Sequence, residues 1–597
     1  MDFLKHATVL VLGLGESGLA MARWCASAGA TVRVWDSREQ PPHEATLAEH
    51  VPNAQWQRGP LTDEAFAGTQ LVLKSPGLAP TDERIAAPLA RAVATGVPVM
   101  GELDLFARAL AELKAERGYA PKVLAITGTN GKTTTTALTA LLVERSGKRV
   151  AVAGNIGPTM LQTLAQALAS EPDEPAADPH PSPLPQAGEG AEPDADLPLP
   201  QAGVGAEPDA DLPLPLAGEG RGEGDDDDAA PSILPDPEPP APVFEHLPEV
   251  WVLELSSFQL DGVKGFEPSA AAVLNLSQDH LDWHGSMPAY AAAKARVFGE
   301  HAVLVINRDD PAVEALVPAP TQLKGARGKP ARMVEREVVR FGLDAPQRPG
   351  DFGLVDENGM AWLVRARELD ETLKRPSSRG AKSTAAREPD ELFIQRLMPA
   401  DALRVRGRHN ASNALAALAL ATAIGCPLAP MLHGLREYEG EPHRVQYIAT
   451  HRGVDAFDDS KGTNVGATVA ALTGLGADRA PGKIAVILGG NGKGQDFSPL
   501  AEPVRLHARA VATIGRDAEA IEAAIAAALV DGGIVQQRHA SLEAATRWCF
   551  ERAHAGDAVL LSPACASLDM FRNYAHRAEV FVREVHALVA DDGGVIA

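Results

Sequence analysis

The chain has 597 residues, 45% of them hydrophobic and 22% charged, a globular composition too long for one core and sized for three or four domains. The formal net charge of −24 is local: residues 171–240 hold 19 acidic side chains against the single Arg221, so 18 of those 24 charges belong to one stretch. No concentrated basic face remains for a nucleic-acid partner, and four separated cysteines without a CxxC pair exclude a disulfide or zinc framework and fit a reducing, cytoplasmic setting.

In chain order, residues 7–12 (ATVLVL) predict a strand, and Gly13-Leu14-Gly15-Glu16-Ser17-Gly18 is a GxGxxG turn opening the helix LAMARWCASAG. A second strand, TVRVWD, ends at Asp36. Strand, glycine turn, helix, strand and acid form a dinucleotide fingerprint in its proper context. A UDP-sugar shares the pyrophosphate and ribose of NAD, so both ligands stay open and Asp36 suits either ribose. The same N-terminal residues mimic a signal peptide, but the strand–turn–helix reading accounts for more of them. The strand in LVLKSPG places Ser75 and Gly77 on a loop where strand ends bind ligands. A first domain is expected over 1–98.

A second domain is expected over 99–440. The apolar run 123–126 predicts a buried strand, followed by Gly128-Thr129-Asn130-Gly131-Lys132-Thr133 and a helix over TTTTALTALLVERSG. Backbone N–H groups of such a loop, with the helix N-terminus behind them, suit phosphate oxygens. Lys132 would reach the β- and γ-phosphates and the Thr133 hydroxyl would ligate Mg²⁺. The pattern is GxxGKT rather than the commoner GxxxxGKS/T.

After the strand VAVAG and Asn155, residues 171–248 are rich in Pro, Ala, Gly, Asp and Glu, and LPQAGEGAEPDADLP (184–198) recurs as LPQAGVGAEPDADLP (199–213). Such a composition cannot bury enough apolar surface to offset chain entropy, so a disordered insert is expected, tolerated in a surface loop because long loops cost little stability. The strand WVLELSS carries Glu254, a candidate Mg²⁺ ligand, and the strand AAAVLNLSQDH is expected to reach His280. Hard Mg²⁺ prefers oxygen, so a histidine ligand would imply a second, unusual metal position. Lys294 lies on the helix PAYAAAKARVF, and VLVIN (303–307) continues the sheet.

Residues 366–392 are expected to form a flexible polar hairpin or loop. A helix opens after Arg408-His409-Asn410, and the apolar run from Asn413 to Leu432, alanine-rich and broken by Pro427, predicts a buried helix rather than a membrane span. Over 441–597 the strands IAVILGG, AVATIG and AVLLSP alternate with helices, which argues a third parallel α/β unit.

GTNGKTT, ELSSFQL, NLSQDHLDWHG, YAAAKARVF, RHNASNALAA, EPHR, DSKGTN, LGGNGKG and SPACASLDMFRNY occur in this order. The series resembles the Mur ligases of peptidoglycan synthesis over the whole chain apart from the acidic insert and the 366–392 loop. The resemblance implies an α/β fold of three domains: Rossmann-like, then a central P-loop ATPase-type domain with a mostly parallel sheet, then a second Rossmann-like domain. GLGESG and SPACASLDMF are most similar to members that join D-glutamate to UDP-N-acetylmuramoyl-L-alanine. In such a reaction ATP phosphorylates a carboxylate, the amine attacks the acyl phosphate, and phosphate leaves.

The resemblance further implies ATP contacts from Gly128, Thr129, Asn130, Gly131, Lys132, Thr133, Thr134, Asn410, Asn413, Arg444, Asp459 and Lys461. It implies two Mg²⁺ sites, one at Thr133 and Glu254, the other at His280 and a carbamylated Lys294. Lys132, Glu254, His280 and Lys294 would carry the catalysis. Gly15, Glu16, Ser17, Asp36, Arg38, Ser75, Gly77, Asn155 and His280 would face the UDP substrate. Thr463, Lys493, Ser567 and Tyr574 would grip glutamate; the family's aromatic at the last position is usually Phe, so Tyr574 adds a hydroxyl. A cytoplasmic monomer without nucleic-acid or membrane partners is expected. Two other readings remain: a related ligase using L-glutamate or another amino acid, and a nucleotide-binding scaffold recruiting partners through its acidic stretch.

Overall fold

The computed structural model describes residues 3–172, 243–323, 332–368, 392–405 and 407–591. The expected insert at 171–248 therefore lies almost wholly outside the described residues, as does most of the 366–392 stretch.

Three sheets organise the described residues, and each forms where short aliphatic runs can be buried on both faces. The first is all parallel, in the order Gln55–Gln57, Thr31–Trp35, Thr8–Leu12, Leu71–Lys74, Val99–Met100. Val9 to Leu12 are fully buried in its centre. Its glycine turn is fixed by close approach: a Cβ on Gly18 would lie 1.9 Å from the Gly13 carbonyl oxygen, so only glycine lets the helix Glu16–Ser27 sit against the strand end.

The second sheet is also parallel, in the order Val338–Phe341, Val303–Asn307, Ala270–Val273, Lys122–Thr127, Val250–Glu254, Val150–Gly154. The helices Lys132–Arg145 and Arg408–Ala423 share its main core. The strand expected to reach His280 stops at Val273. Beyond Leu274, whose N–H meets the Thr127 carbonyl, the polar residues leave the sheet for the phosphate loop: Asn275 Oδ1 accepts from Asn130 N and Ser277 N donates to Thr129 Oγ1. In the same way WVLELSS ends as a strand at Glu254, because Ser256 caps the short helix Ser257–Leu260 by accepting from Gln259 N. The run from Asn413 to Leu432 is two helices, Arg408–Ala423 and Leu428–Glu437, broken at Pro427. Among the described residues no helix is long and apolar enough to cross a membrane.

An antiparallel three-stranded sheet, Phe352–Glu357, Met360–Glu368 and Leu392–Pro399, was not expected. It corrects the loop reading at both ends of 366–392: Ala366 pairs with Ile394 and Glu368 with Leu392. Alternation such as Val364-Arg365-Ala366-Arg367 buries one face and leaves charges on the other, so composition alone reads as loop.

The third sheet runs Gln446–His451, Val454–Asp458, Ala558–Leu561, Ile484–Gly489, Ala508–Ile514, Val535–Arg538, parallel except for the first edge strand. That edge strand belongs to a tight hairpin whose turn, Arg452-Gly453, has positive φ at both residues, the backbone that a two-residue hairpin turn favours.

The two ends of the acidic stretch are tied together. The Glu171 carboxylate, one residue past the helix Met160–Ser170, accepts N–H bonds from Glu245, His246 and Leu247 at 2.6, 2.8 and 2.9 Å. Those bonds hold its pKa below the usual range despite the desolvation that opposes them. Replacing residues 173–242 by a short Gly-Ser linker is therefore expected to leave the thermal midpoint nearly unchanged. A fall of more than about 5 °C, on the order of 1–2 kcal/mol, would show that the stretch stabilises the body.

Candidate active site

The strand Lys122–Thr127 delivers its chain into the 128–133 loop, and Gly131 turns it into the helix Lys132–Arg145 with φ +81°. A Cβ on Gly131 would meet Asn413 Oδ1 at 2.5 Å, so glycine here also lets the helix Arg408–Ala423 reach the loop. Lys132 Nζ donates to the Gly128 and Thr129 carbonyls, both at 2.9 Å. Burial lowers its pKa, and the nearby Glu254 charge works against that shift. Asn130 exchanges backbone bonds with the Asn275 amide, and its Oδ1 accepts from Asn464 Nδ2 at 2.9 Å. Arg444 donates to Thr133 Oγ1 at 2.5 Å. The EPHR and DSKGTN segments of the third sheet's domain are thus both anchored on the phosphate loop.

Asn410, Asn413, Arg444 and Asp459 line one cavity of about 390 Å³ with Asn130, Gly131 and Thr134. His409 lines it too, its ring between Gly407 and Gly474; burial pushes its pKa down to about 4, so the imidazole is neutral at physiological pH. Burial also pushes Asp459 up to about 7, with Ser562 Oγ donating to it at 2.6 Å. Lys461 does not line this cavity: its Nζ lies 4.9 Å from the centre of the Tyr574 ring and donates to the phenol oxygen at 3.4 Å.

Behind the loop sits Glu254, 2% exposed, with Oε1 accepting from Asn155 Nδ2 at 3.0 Å and Oε2 buried without a partner. A buried carboxylate oxygen left without a donor is a place for a cation. Among the described residues no group of three or more His, Cys, Asp or Glu could hold a metal alone. An ion here would need the Thr133 hydroxyl, Glu254, phosphate oxygens and water, a donor set that suits Mg²⁺. Lys294 is 1% exposed; its Nζ donates to the Gly128 carbonyl at 2.8 Å and to Thr127 Oγ1 at 3.3 Å, 4.7 Å from the centre of the Tyr290 ring. Burial, reinforced by repulsion from Lys132, lowers its pKa well below the ordinary lysine value. His280 begins the short helix Leu281–His284 with φ +53°, edge-on to Phe258 at 4.6 Å, its Nε2 3.4 Å from Asp279. Burial lowers its pKa, with the Asp279 charge opposing and the Lys493, Lys132 and Lys294 charges adding to the shift.

At the N-terminal end the expected residues divide by what they do. Asp36 is turned inward: it accepts from Leu14 N at 2.6 Å and from Arg38, so it shapes the glycine turn. Ser75 Oγ donates to the Gly13 carbonyl at 2.6 Å, and Ser17 is half-buried. Gly15 and Gly77 face open space, and Glu16 lies beside Gly157. Arg38 shares a pocket of about 710 Å³ with Trp56, Arg58 and Arg84, three residues that sequence reasoning missed.

In the third domain an antiparallel bridge between Asn491 and Ala566 joins the loops of Lys493 and Ser567, and Thr463 N donates to the Lys461 carbonyl. Lys493 is exposed with φ +51°, and Ser567 is buried. Arg577, also missed, is fully buried and donates to the Ser460 and Cys565 carbonyls, tying the Lys461 segment to the SPACAS loop. Backbone strain marks the same region. Of eight non-glycine residues with positive φ among the described residues, five (His280, His443, Val445, Lys493 and Ala564) lie on these loops.

Residues 7–101 match the Mur ligase MurD-like N-terminal domain, 243–325 the Mur ligase middle domain, and 443–565 the Mur ligase glutamate ligase domain. The UDP-N-acetylmuramoylalanine--D-glutamate ligase of Albidiferax ferrireducens is 52% identical over 595 residues, covering 99% of this chain and 98% of its own. The enzyme of that name from Ralstonia nicotianae is 48% identical over 590 residues, covering 99% of both chains. That from Burkholderia pseudomallei is 50% identical over 591 residues, covering 99% of this chain and 98% of its own. About half the residues are shared from one end to the other, and all three domain types follow in order: the chain belongs to the Mur ligase family, among its UDP-N-acetylmuramoylalanine--D-glutamate ligases.

Proposed function

We propose that the protein is an ATP-dependent amide-bond ligase that joins D-glutamate to UDP-N-acetylmuramoyl-L-alanine through an acyl phosphate, a step in peptidoglycan precursor synthesis. The observation that carries this reading is the meeting of a phosphate loop, a buried carboxylate with an unpartnered oxygen and a desolvated lysine, with Arg444 of another domain bonded to the loop.

A carboxylate is inert to amines at neutral pH, and phosphorylation supplies the leaving group. The transfer needs alignment and charge neutralisation above all. Lys132, held at the helix N-terminus, supplies a positive charge to the β/γ-phosphate region. Magnesium, when bound, neutralises phosphate charge: Thr133 and Glu254 would hold one ion, His280 and a carbamylated Lys294 a second. The lowered pKa of Lys294 favours that modification, because only the neutral amine has the lone pair that adds to CO₂. Asn155, which donates to Glu254, would contact the muramoyl-alanine end of the substrate.

Residues 1–98 would hold the UDP-bearing substrate, 99–440 ATP, and 441–597 glutamate through Thr463, Lys493, Ser567 and Tyr574. The enzyme would act as a cytoplasmic monomer. An amino-acid panel of D-glutamate, L-glutamate, D-aspartate, L-lysine and glycine, read by phosphate release with ATP, Mg²⁺ and the UDP-muramoyl substrate, tests the assignment. D-Glutamate is expected to exceed each of the others by about tenfold or more, roughly 1.4 kcal/mol of barrier. A preference for L-glutamate or another amino acid would favour the related-ligase reading. Release indifferent to every amino acid would overturn both.

A further inference from the structure

The EPHR turn carries left-handed backbone on both sides of Arg444, at His443 (φ +64°) and Val445 (φ +48°). A β-branched residue in that region is a true outlier, and such strain persists where the surrounding structure holds it in place at a working site. Arg444 and Val445 line the nucleotide cavity; His443 does not. Its ring stands edge-on to Tyr574, 6.1 Å between centroids, and Tyr574 accepts from Lys461 Nζ. The imidazole is thus set between the phosphate loop, gripped by its neighbour Arg444, and the residues expected to receive the amino acid.

His443 Nδ1 lies 2.7 Å from Asp458 Oδ2, a carboxylate with no exposure whose other oxygen accepts from Ser460 N. A buried carboxylate on Nδ1 fixes the tautomer with its proton there, leaves the Nε2 lone pair outward, and stabilises the imidazolium that protonation would form. The ring is half-buried. The charged and titratable groups around it are Glu441 and Arg444 on its own turn, Asp458 at the adjoining strand end, Asp459 and Lys461 on the loop that follows, and Tyr574 from the C-terminal helix.

The ligation proposed above needs a group of this kind, because an amino acid in neutral water is an ammonium without a lone pair. We propose that His443 is the proton acceptor for the incoming amine and that Asp458 is its positioning residue; this rests on the ligase reading. His443 Nε2 takes one proton from the ammonium. The freed pair forms the C–N bond at the acyl carbon, the C–O bond to phosphate breaks with its electrons leaving on phosphate, and a second amine proton goes to the departing phosphate. The imidazolium then returns its proton to solvent.

Hydroxylamine separates this role from others, because it is an uncharged nucleophile at neutral pH and needs no base to expose its lone pair. In His443→Gln, turnover with D-glutamate is expected to fall by about 10²–10⁴-fold, while ATP-dependent hydroxamate formation from the UDP-muramoyl substrate stays within about threefold of wild type. Asp458→Asn should lower glutamate turnover by about tenfold or more with the same sparing of hydroxamate. Parallel loss of hydroxamate, a raised KM for D-glutamate with kcat retained, or undiminished ligation would each overturn the assignment. A wild-type enzyme that makes no hydroxamate at all would refute the ligase reading itself and this proposal with it.

Discussion

Lys132→Ala is expected to lower glutamate-dependent phosphate release by about 10³-fold or more, on the order of 4 kcal/mol of barrier. The amine is part-buried and held on the Gly128 and Thr129 carbonyls at the start of the helix Lys132–Arg145. Charge developing on the transferred phosphoryl group meets a cation already fixed in place, so little reorganisation is needed at the moment of transfer. Lys132→Met keeps most of the side-chain volume, so an equal loss in both variants with unchanged thermal midpoints would assign the effect to the charge. Phosphate release at saturating substrates is the measurement, and a variant retaining more than a tenth of wild-type turnover would contradict the role.

Lys294→Ala is expected to cost about 10²–10³-fold, with partial recovery when formate or acetate is added. The side chain is 1% exposed, beside Thr127 and Gly128, and an unmodified neutral amine has no charge to offer a metal ion or a phosphate there. A small carboxylate diffusing into the space left by alanine restores the negative oxygens that a carbamate would supply. Lys294→Arg should be equally slow and not recover, because the guanidinium stays charged and fills that space. For the wild type, CO₂-depleted buffer should reduce the rate and bicarbonate should restore it. Rates indifferent to both carboxylate and CO₂ would rule out the modification.

What could be read from the residues alone followed the range of the interactions. The phosphate loop, the GxGxxG turn and the strands around them show themselves in runs of fewer than twenty residues, because periodicity and glycine placement are local. The contacts that complete the site are not local. Asn275 reaches Asn130 across 145 residues, Asn464 reaches Asn130 across 334, and Arg577 reaches Ser460 across 117. None of these side chains differs in composition from an ordinary loop or helix residue. Asp36 shows the opposite case. Its position after the second strand suits a ribose contact, but its carboxylate is engaged by Leu14 N–H and Arg38. The strand that was to reach His280 ends early for the same reason, as its polar residues find better partners in the phosphate loop than in the sheet. The strand pairing of Ala366 to Glu368 with Leu392 to Ile394 was not foreseen, because alternating charged residues on a half-buried strand look like loop.

Glycine positions show how closely the domains are fitted. Gly131 touches a side chain from a helix nearly three hundred residues later, so the sequence signal for a phosphate loop also records tertiary packing. That dual constraint explains why the helix Arg408–Ala423 begins with its polar Arg408-His409-Asn410 turn at the loop and continues as buried alanine and leucine against the sheet.

The most direct test follows the oxygen atoms of the UDP-muramoyl substrate. With both oxygens of its terminal alanyl carboxylate labelled with ¹⁸O, an acyl phosphate route must leave one labelled oxygen in the inorganic phosphate released at each turnover with D-glutamate. Unlabelled phosphate, with ligation proceeding, would contradict the route and with it the central role assigned to the phosphate loop.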